Sequence, residues 1–435
     1  MYFLYSAALA VAFVLATPYW LFKMLRHGKY RAGLAERLGR VPERVRSAQP
    51  GDLCIWIHAV SVGEVLAISQ LVEELKQRSQ RRLRIVISTT TTTGQKLARE
   101  RFAPENVFYF PLDFGFCIRP YMRALRPKLV VMAETEFWPN FLRKAKRCGA
   151  QVAVVNARIS DRSLPGYRRW KGILTRFLHN VDLFLAQSEE DKRRLVEIGA
   201  APERVEVSGN LKFDVKPPAK LAIVEQLRSA IERDGGGPVI VAGSTVGWEE
   251  KSVLSMFARL LREYPGAVLI LAPRKPERFD EVAALSQGMR LPTWRRSRAD
   301  LASTSLRGGV FLLDSIGELG SVYQAGACAF VGGSLENSGG HNILEPAGFG
   351  VPIIVGPYTH NFRDIVGLFR RADALIELPP GYPEQDADSL YGAVVAVLKN
   401  QAANKLANMK EVMQSQSGAT ARTAEALEKL LVLAQ

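Results

Sequence analysis

Two doubly wound, Rossmann-like α/β domains behind an apolar amino-terminal helix are the architecture this sequence predicts, and three observations carry that prediction. Short β-rich apolar runs alternate with amphipathic stretches from residue 52 onward. The alternation occurs in two series, separated by GNLKFDVKPPAK at 209–220 with its consecutive Pro217 and Pro218. Residues 1–22 contain no charged side chain.

The amino terminus comes first. Twenty-two residues in a helix reach about 33 Å, enough to cross a hydrocarbon core. Tyr19 and Trp20 stand at its end, where aromatic side chains favour the interface, and Lys23, Arg26, His27, Lys29, Arg31, Arg37 and Arg40 follow. A cleaved signal peptide carries its positive charge before the apolar run; here the order is reversed. A retained membrane anchor over 1–23 is expected, with everything after it on the cytoplasmic side. A helix lying in the interface or against the protein, broken at Pro18, stays open as the alternative.

The first series of strands is expected at 53–58, 84–88, 128–133, 151–155 and 182–187, all nearly continuous apolar runs that suit burial on both faces of a parallel sheet. Helix-like stretches at 64–78, 94–102, 138–147 and 189–198 lie between them. The series fills a domain over 24–210, and 211–220 reads as a linker. The second series runs through 238–244, 267–273, 309–314, 327–333 and 351–356, a domain over 221–400. Residues 401–435 are rich in Ala, Glu, Lys and Leu and read as a helical tail. In such sheets ligands bind beyond the carboxyl ends of the strands, so the cleft between two of them is the expected active site.

With 435 residues, 47% hydrophobic and 23% charged, the chain has enough apolar surface for sizeable cores. Cys54, Cys117, Cys148 and Cys328 are scattered, which argues against a disulfide framework or structural zinc site and for a reducing compartment. Residues 1–210 hold 34 of the 58 Lys and Arg but only 19 of the 43 Asp and Glu, leaving the remainder balanced at 24 each. The whole surplus of +15 therefore belongs to the first half, which should face something anionic. Few aromatic residues interleave with the basic stretches, which argues against nucleic acid.

Candidate chemistry gathers where strands end. HAVSVGEV (58–65) puts Glu64 in the first turn of a helix after the first strand, as a general base or as a helix-terminus partner. VMAETEFWPN (131–140) places Glu134 and Glu136 at another strand end, and STTTTTG (88–94) sets hydroxyls between a strand and a helix. In the second half, APRKPERF (272–279) offers Arg274 and Lys275 as a phosphate clamp or a solvated basic turn, and DSIGEL (314–319) puts Gly317 at a helix amino terminus. GGSLENSGGHNILEP (332–346) is glycine-rich, with Asn342 and Glu345 at the start of a short helix, where an acid suits ribose hydroxyls. No P-loop, GxGxxG or HExxH occurs. The pair Asp386 and Asp388 reads as a solvated helix start rather than a metal site, and no metal or cofactor is expected.

These motifs together, with NARISDRS (156–163), GNLKFD (209–214) and GGHNILEPAGFGVPIIVGP (339–357), resemble the 3-deoxy-D-manno-octulosonic acid (Kdo) transferases of lipopolysaccharide synthesis. The resemblance implies the GT-B glycosyltransferase fold. It also implies inverting, metal-independent transfer of Kdo from CMP-Kdo to the lipid A precursor (lipid IVA), at the cytoplasmic face of the inner membrane. On it, Glu64 is the proton acceptor, and Glu134 and Lys212 stabilise the transition state. Pro273, Arg274, Ile316, Gly317, Glu318, Asn342, Ile343, Leu344 and Glu345 bind CMP, while Ser61, Gly63 and Glu136 fall on the acceptor side. STVGWEE (244–250) departs from the family's histidine-containing run, and Ser315 stands where threonine is common. The motifs do not distinguish members that add one, two or more Kdo residues. Two other readings remain open at this level: a membrane-bound GT-B enzyme using a nucleotide-diphosphate sugar, and a non-catalytic binder of anionic lipid.

Overall fold

The computed structural model describes residues 1–27, 32–46, 52–79, 82–215, 222–233 and 235–432. Lys29, Arg31 and the Pro217–Pro218 part of the expected linker lie outside the described residues. The chain forms two compact units, Met1–Val215 with Gln416–Gln435, and Lys216–Ser415.

The first unit is built on seven parallel strands: β1 (Leu53–His58), β2 (Leu83–Thr89), β3 (Val107–Tyr109), β4 (Leu129–Ala133), β5 (Gln151–Ala157), β6 (Leu183–Ala186) and β7 (Val205–Val207), in the order β3-β2-β1-β4-β5-β6-β7. The second holds β8 (Val239–Thr245), β9 (Val268–Pro273), β10 (Thr293–Arg295), β11 (Val310–Leu312), β12 (Cys328–Val331), β13 (Ile353–Val355) and β14 (Ile376–Glu377), in the order β10-β11-β9-β8-β12-β13-β14. The doubly wound Rossmann-like reading holds in both. All ten expected strands form; the four the sequence did not signal, β3, β7, β10 and β14, are the sheet edges. Each has only two or three residues, and an edge strand does not need the continuous apolar run that burial demands of a central one.

Strand order places the chemistry. The direction of winding reverses between β1 and β4 in the first sheet and between β8 and β12 in the second. Loops leaving the carboxyl ends of these pairs diverge, which opens the crevice where such sheets bind ligands. Cores lie on both faces of each sheet; in the first, Trp56 is fully buried against Phe108, Phe110, Tyr121 and Phe141.

Two expectations about the chain's course are revised. Leu211–Asp214, expected as linker, is a 3-10 turn with Leu211 and Phe213 buried in the first unit. The expected tail is two helices, Ala403–Gln416 and Ala419–Val432, broken at Gly418 with φ +82. The last helix packs Leu427, Leu430 and Leu431 into the core of the first unit beside the helix Val62–Arg78. An amphipathic stripe with no partner in its own neighbourhood in sequence finds one some 350 residues back.

Candidate active site

In the first unit, Ser61 occupies the N-cap position of the helix Val62–Arg78 without a side-chain cap bond, so Gly63 and Glu64 fall in its first turn at the carboxyl end of β1. Glu64 is 7% exposed. Its carboxylate accepts hydrogen bonds from the Val60 amide (2.8 Å) and the Ser61 hydroxyl (2.9 Å). It is therefore a cap, as one sequence reading held, but two donors do not saturate a carboxylate. Burial, reinforced by the nearby charges of Glu134 and Glu136, raises its pKa from the ordinary 4.5 to about 7.

Glu134 follows β4 in a left-handed conformation, φ +56, its amide bonded to the Val155 carbonyl at 2.9 Å. That backbone turn is unfavourable for a non-glycine residue and is held by the sheet. The Glu134 carboxylate accepts from the Lys212 ammonium at 2.8 Å, with both side chains about half-buried. Glu136, two residues on, also has its pKa raised, first by burial and then by Glu134. Ser61, Glu64, Glu134, Glu136 and Lys212, drawn from segments up to 150 residues apart in sequence, thus meet at the switch point of one sheet.

Lys212 depends on a chain of supports. Asn156, itself at φ +54, accepts from the Leu211 amide at 3.0 Å, and Asn210 accepts from the Lys212 amide at 3.0 Å. Asp214 then caps the last helix, accepting from the Gly418 and Thr420 amides at 2.8 and 2.6 Å.

In the second unit, Pro273 ends β9 and Arg274 emerges exposed, its amide bonded to the Thr245 carbonyl at 2.9 Å. Asn342 donates to Glu345 at 3.3 Å and accepts from the Leu344 amide at 3.2 Å, while Ile343 and Leu344 are buried behind them. Burial raises the Glu345 pKa, and the Arg274 charge opposes that rise. Burial, then Arg274, lowers His341 to about 4, so its ring is neutral. Arg274, Asn342 and Glu345 therefore form one cluster. The 316–318 loop leaves β11, the neighbour of β9. There Ile316 is 84% exposed, Gly317 has φ +92, and Glu318 is engaged by Arg296 at 3.1 Å and by Ser315. The helix after Gly317 is a single turn, Leu319–Val322.

A family model described as 3-deoxy-D-manno-octulosonic-acid transferase (kdotransferase) matches residues 32–215. A 3-deoxy-D-manno-octulosonic acid transferase from Haemophilus influenzae is 35% identical over 93% of this chain and 92% of its own. The chain belongs to the Kdo transferase family.

Among solved structures, the C-terminal CMP-Kdo binding domain of WaaA from Acinetobacter baumannii is similar at 34% identity, covering 44% of this chain and 98% of that domain, with a TM-score of 0.39. A UDP-GlcNAc 2-epimerase from Neisseria meningitidis shares the two-domain fold at 12% identity and TM-score 0.57, covering 88% of this chain and 99% of its own. This Kdo transferase family member is accordingly a glycosyltransferase with a GT-B-like fold.

Sequence reading missed one residue of this family member's second unit. Glu249, in the run that departs from the family pattern, is fully buried in the first turn of the helix Glu249–Leu260. It accepts from the amides of Val246 (2.9 Å), Gly333 (2.7 Å), Ser334 (2.9 Å) and Leu335 (2.8 Å), and so fixes the start of the loop carrying Asn342 and Glu345. A pair of glutamates opening a helix reads as dipole complement, and only the approach of the loop 332–336 gives one of them its task. Asp386, expected to be solvated, is instead 1% exposed within the helix Pro383–Leu398, while Asp388 pairs with Arg259 at 2.7 Å. Two residues of helix, about 200° of rotation, turn the first acid inward and the second outward. Among the described residues no group of three or more His, Cys, Asp and Glu side chains is placed to hold a metal.

Proposed function

We propose that this protein transfers Kdo from CMP-Kdo to the lipid A precursor, lipid IVA, in lipopolysaccharide synthesis at the cytoplasmic face of the inner membrane, with inversion at the anomeric carbon. The observation that carries the reading is Glu64. It is a buried carboxylate with a proton affinity near neutrality, beside the Glu134–Lys212 pair at a sheet switch point. An acceptor hydroxyl is a poor nucleophile until a base takes its proton, and a base is most effective when its pKa lies near the working pH.

In this reading the acceptor oxygen attacks the anomeric carbon as the bond from that carbon to the phosphate oxygen breaks. The hydroxyl proton passes to Glu64 and CMP departs with the bonding pair. Lys212, held by Glu134, offsets negative charge developing in the transition state. Glu136 and Ser61 orient the acceptor, and Gly63 gives it room: beyond its chain neighbours and its own helix's backbone, a Cβ there meets only Ser61 Oγ at 4.0 Å. On the second unit, Arg274 meets the phosphate, Asn342 and Glu345 the ribose, and Ile316 with Gly317 and Glu318 the base. A CMP sugar has a single phosphate, so its leaving-group charge is met without a metal.

The test is mass spectrometry of lipid A precursor incubated with the purified full chain and CMP-Kdo. Addition of one or more Kdo residues is expected with the native protein and not with Glu64→Gln. Transfer from UDP- or GDP-sugars in place of CMP-Kdo, or no transfer, overturns the reading.

A further inference from the structure

The amino-terminal helix α1 (Tyr2–His27) contains Tyr2–Met24, which by length and mean hydropathy of 1.6 is long and apolar enough to cross a membrane. Its contacts with the body of the first unit are at odds with crossing. Tyr2, the first residue of the helix, accepts from the Asn180 amide group at 2.8 Å, lies under the Arg143 guanidinium at 4.3 Å and packs on Phe177 at 5.3 Å. The Tyr5 hydroxyl donates to Asp113 at 2.9 Å, and Ser6 accepts from Asn140 at 3.0 Å. About two turns further on, Phe13 meets Phe114 edge to face at 5.9 Å.

These contacts run along one side of the helix. Tyr2, Tyr5, Ser6, Leu9, Phe13, Ala16 and Trp20 are partly covered, at helical spacing. The opposite side is apolar and bare: Phe3 is 82% exposed, Leu4 70%, Val14 67% and Leu15 75%. Lys23 and Arg26 follow near the carboxyl end of the helix.

If α1 crossed a bilayer with the body on the side of Lys23, Tyr2 would stand about 30 Å away, across the hydrocarbon. It would be out of reach of Asn180, Asp113 and Asn140. Carrying those partners into the bilayer with it, Arg143 included, would take a charged group into hydrocarbon at a cost of several kcal/mol. A helix laid along the surface keeps every one of these bonds and still offers its apolar side to acyl chains, which is the arrangement of an in-plane anchor.

We propose that α1 lies in the plane of the membrane interface, docked lengthwise on the first unit and embedding its Phe3–Leu4–Val14–Leu15 side in one leaflet, with its amino terminus on the same side as the body. The occupant of that apolar side is a phospholipid leaflet with anionic head groups, matched by the positive surplus of residues 1–210 and by Lys23 and Arg26. The proposal rests on the reading that this protein works at the inner membrane. It adds a consequence for the site. Asp113, besides receiving Tyr5, accepts from the Asn140 and Phe141 amides at 3.1 and 2.8 Å and so caps the helix Pro139–Arg147, which begins three residues after Glu136. The leaflet is thereby brought against the element that opens from the acidic loop.

Two measurements on the full chain in native membranes test this. With exposed Cys148 changed to Ser, the Ser6→Cys, Asn140→Cys pair is oxidised with copper–phenanthroline in membrane vesicles; a cross-link in most molecules is expected. Since Asn140 is buried, an amino-terminal epitope tag on the otherwise native chain gives the second readout. It should be protected from protease in intact spheroplasts and cleaved after lysis. A tag cleaved in intact spheroplasts means that α1 crosses the membrane and overturns the in-plane arrangement while leaving membrane attachment intact. A chain lacking residues 2–22 that stays fully membrane-bound at high salt overturns attachment through α1. A cross-linked chain in the soluble fraction overturns the leaflet as occupant.

Discussion

Glu64 and Glu249 occupy matching places in the two units. Each sits in the first turn of the helix that follows the central strand at a switch point, β1 in one and β8 in the other, and each is buried. Each accepts from a valine amide in the loop before it, Val60 or Val246. They part company at the next donors. Glu64 gains one hydroxyl, and its other neighbours include the carboxylates of Glu134 and Glu136. Glu249 gains three more strong amide donors from the loop at 333–335. Burial raises the pKa of both, but at Glu249 the amides pull against it. One carboxylate keeps lone pairs and a proton affinity suited to exchange; the other is spent on holding a loop. Topology places a glutamate at a switch point, and the count of donors around it settles whether it is available for chemistry.

The sharpest way to break this comparison is to make both glutamates amides. Glu64→Gln should lower turnover by about 10²–10⁴-fold, as for loss of a positioned base, and leave CMP binding near normal. Initial rates and calorimetry on one preparation check it; retained turnover would make Glu64 a cap like its counterpart and turn attention to Glu134. Native turnover should also rise with pH through about 7, since the base must be ionised, and then level off. The stability effect has the opposite sense. Between pH 4.5 and about 7 the folded state keeps a proton that the unfolded chain releases, so Glu64's contribution is full in acid and lost as pH rises through that window. Melting curves of native and Glu64→Gln protein across that range should converge at the acid end.

Glu249→Gln should act in the other currency. It turns an NH2 group toward amides that need an acceptor, and unmet donors in a buried site cost about 1–3 kcal/mol each. A lower melting temperature and weaker CMP binding are expected together, from loosening of the loop that carries Asn342 and Glu345. A variant that melts normally while losing turnover would erase the distinction between the two glutamates.

Arg274→Ala and Glu345→Ala sharpen the comparison on the second unit. Each should weaken CMP binding by about 1–3 kcal/mol, the loss of a charged hydrogen bond. Melting should change little for Arg274, which is exposed. Calorimetry with CMP checks both; unaltered affinity in the two variants removes the nucleotide site from the second unit.

The smallest change is Gly63→Ala. The chain has room for the methyl group, and Ala is favoured over Gly in a helix by about 1 kcal/mol or less. Melting should hold or rise slightly while turnover falls, if the acceptor needs that space. Unchanged turnover would free Gly63 from any acceptor role.

Much of this molecule is written in local patterns. Continuous apolar runs specified all ten interior strands because a strand buried on both faces is built mostly from apolar residues, and the uncharged first 22 residues specified a helix. Turn and helix-start residues marked Glu64, Glu134, Arg274, Asn342 and Glu345 as side chains at strand ends. What remained hidden depends on partners distant in sequence. Three of the edge strands mix polar with apolar residues, and the fourth, β3, is apolar but only three residues long. The last helix is an ordinary amphipathic stretch until Leu427, Leu430 and Leu431 find the core of the first unit and Asp214 caps it beneath Lys212. The proton affinity of Glu64 arises from its burial, reinforced by the arrival of Glu134 and Glu136 beside it, and the task of Glu249 from a loop more than 80 residues away. Periodicity fixes which residues are buried and which lie at a strand end. Only tertiary structure determines which hydrogen bonds and charges meet there, because those energies depend on distance in space.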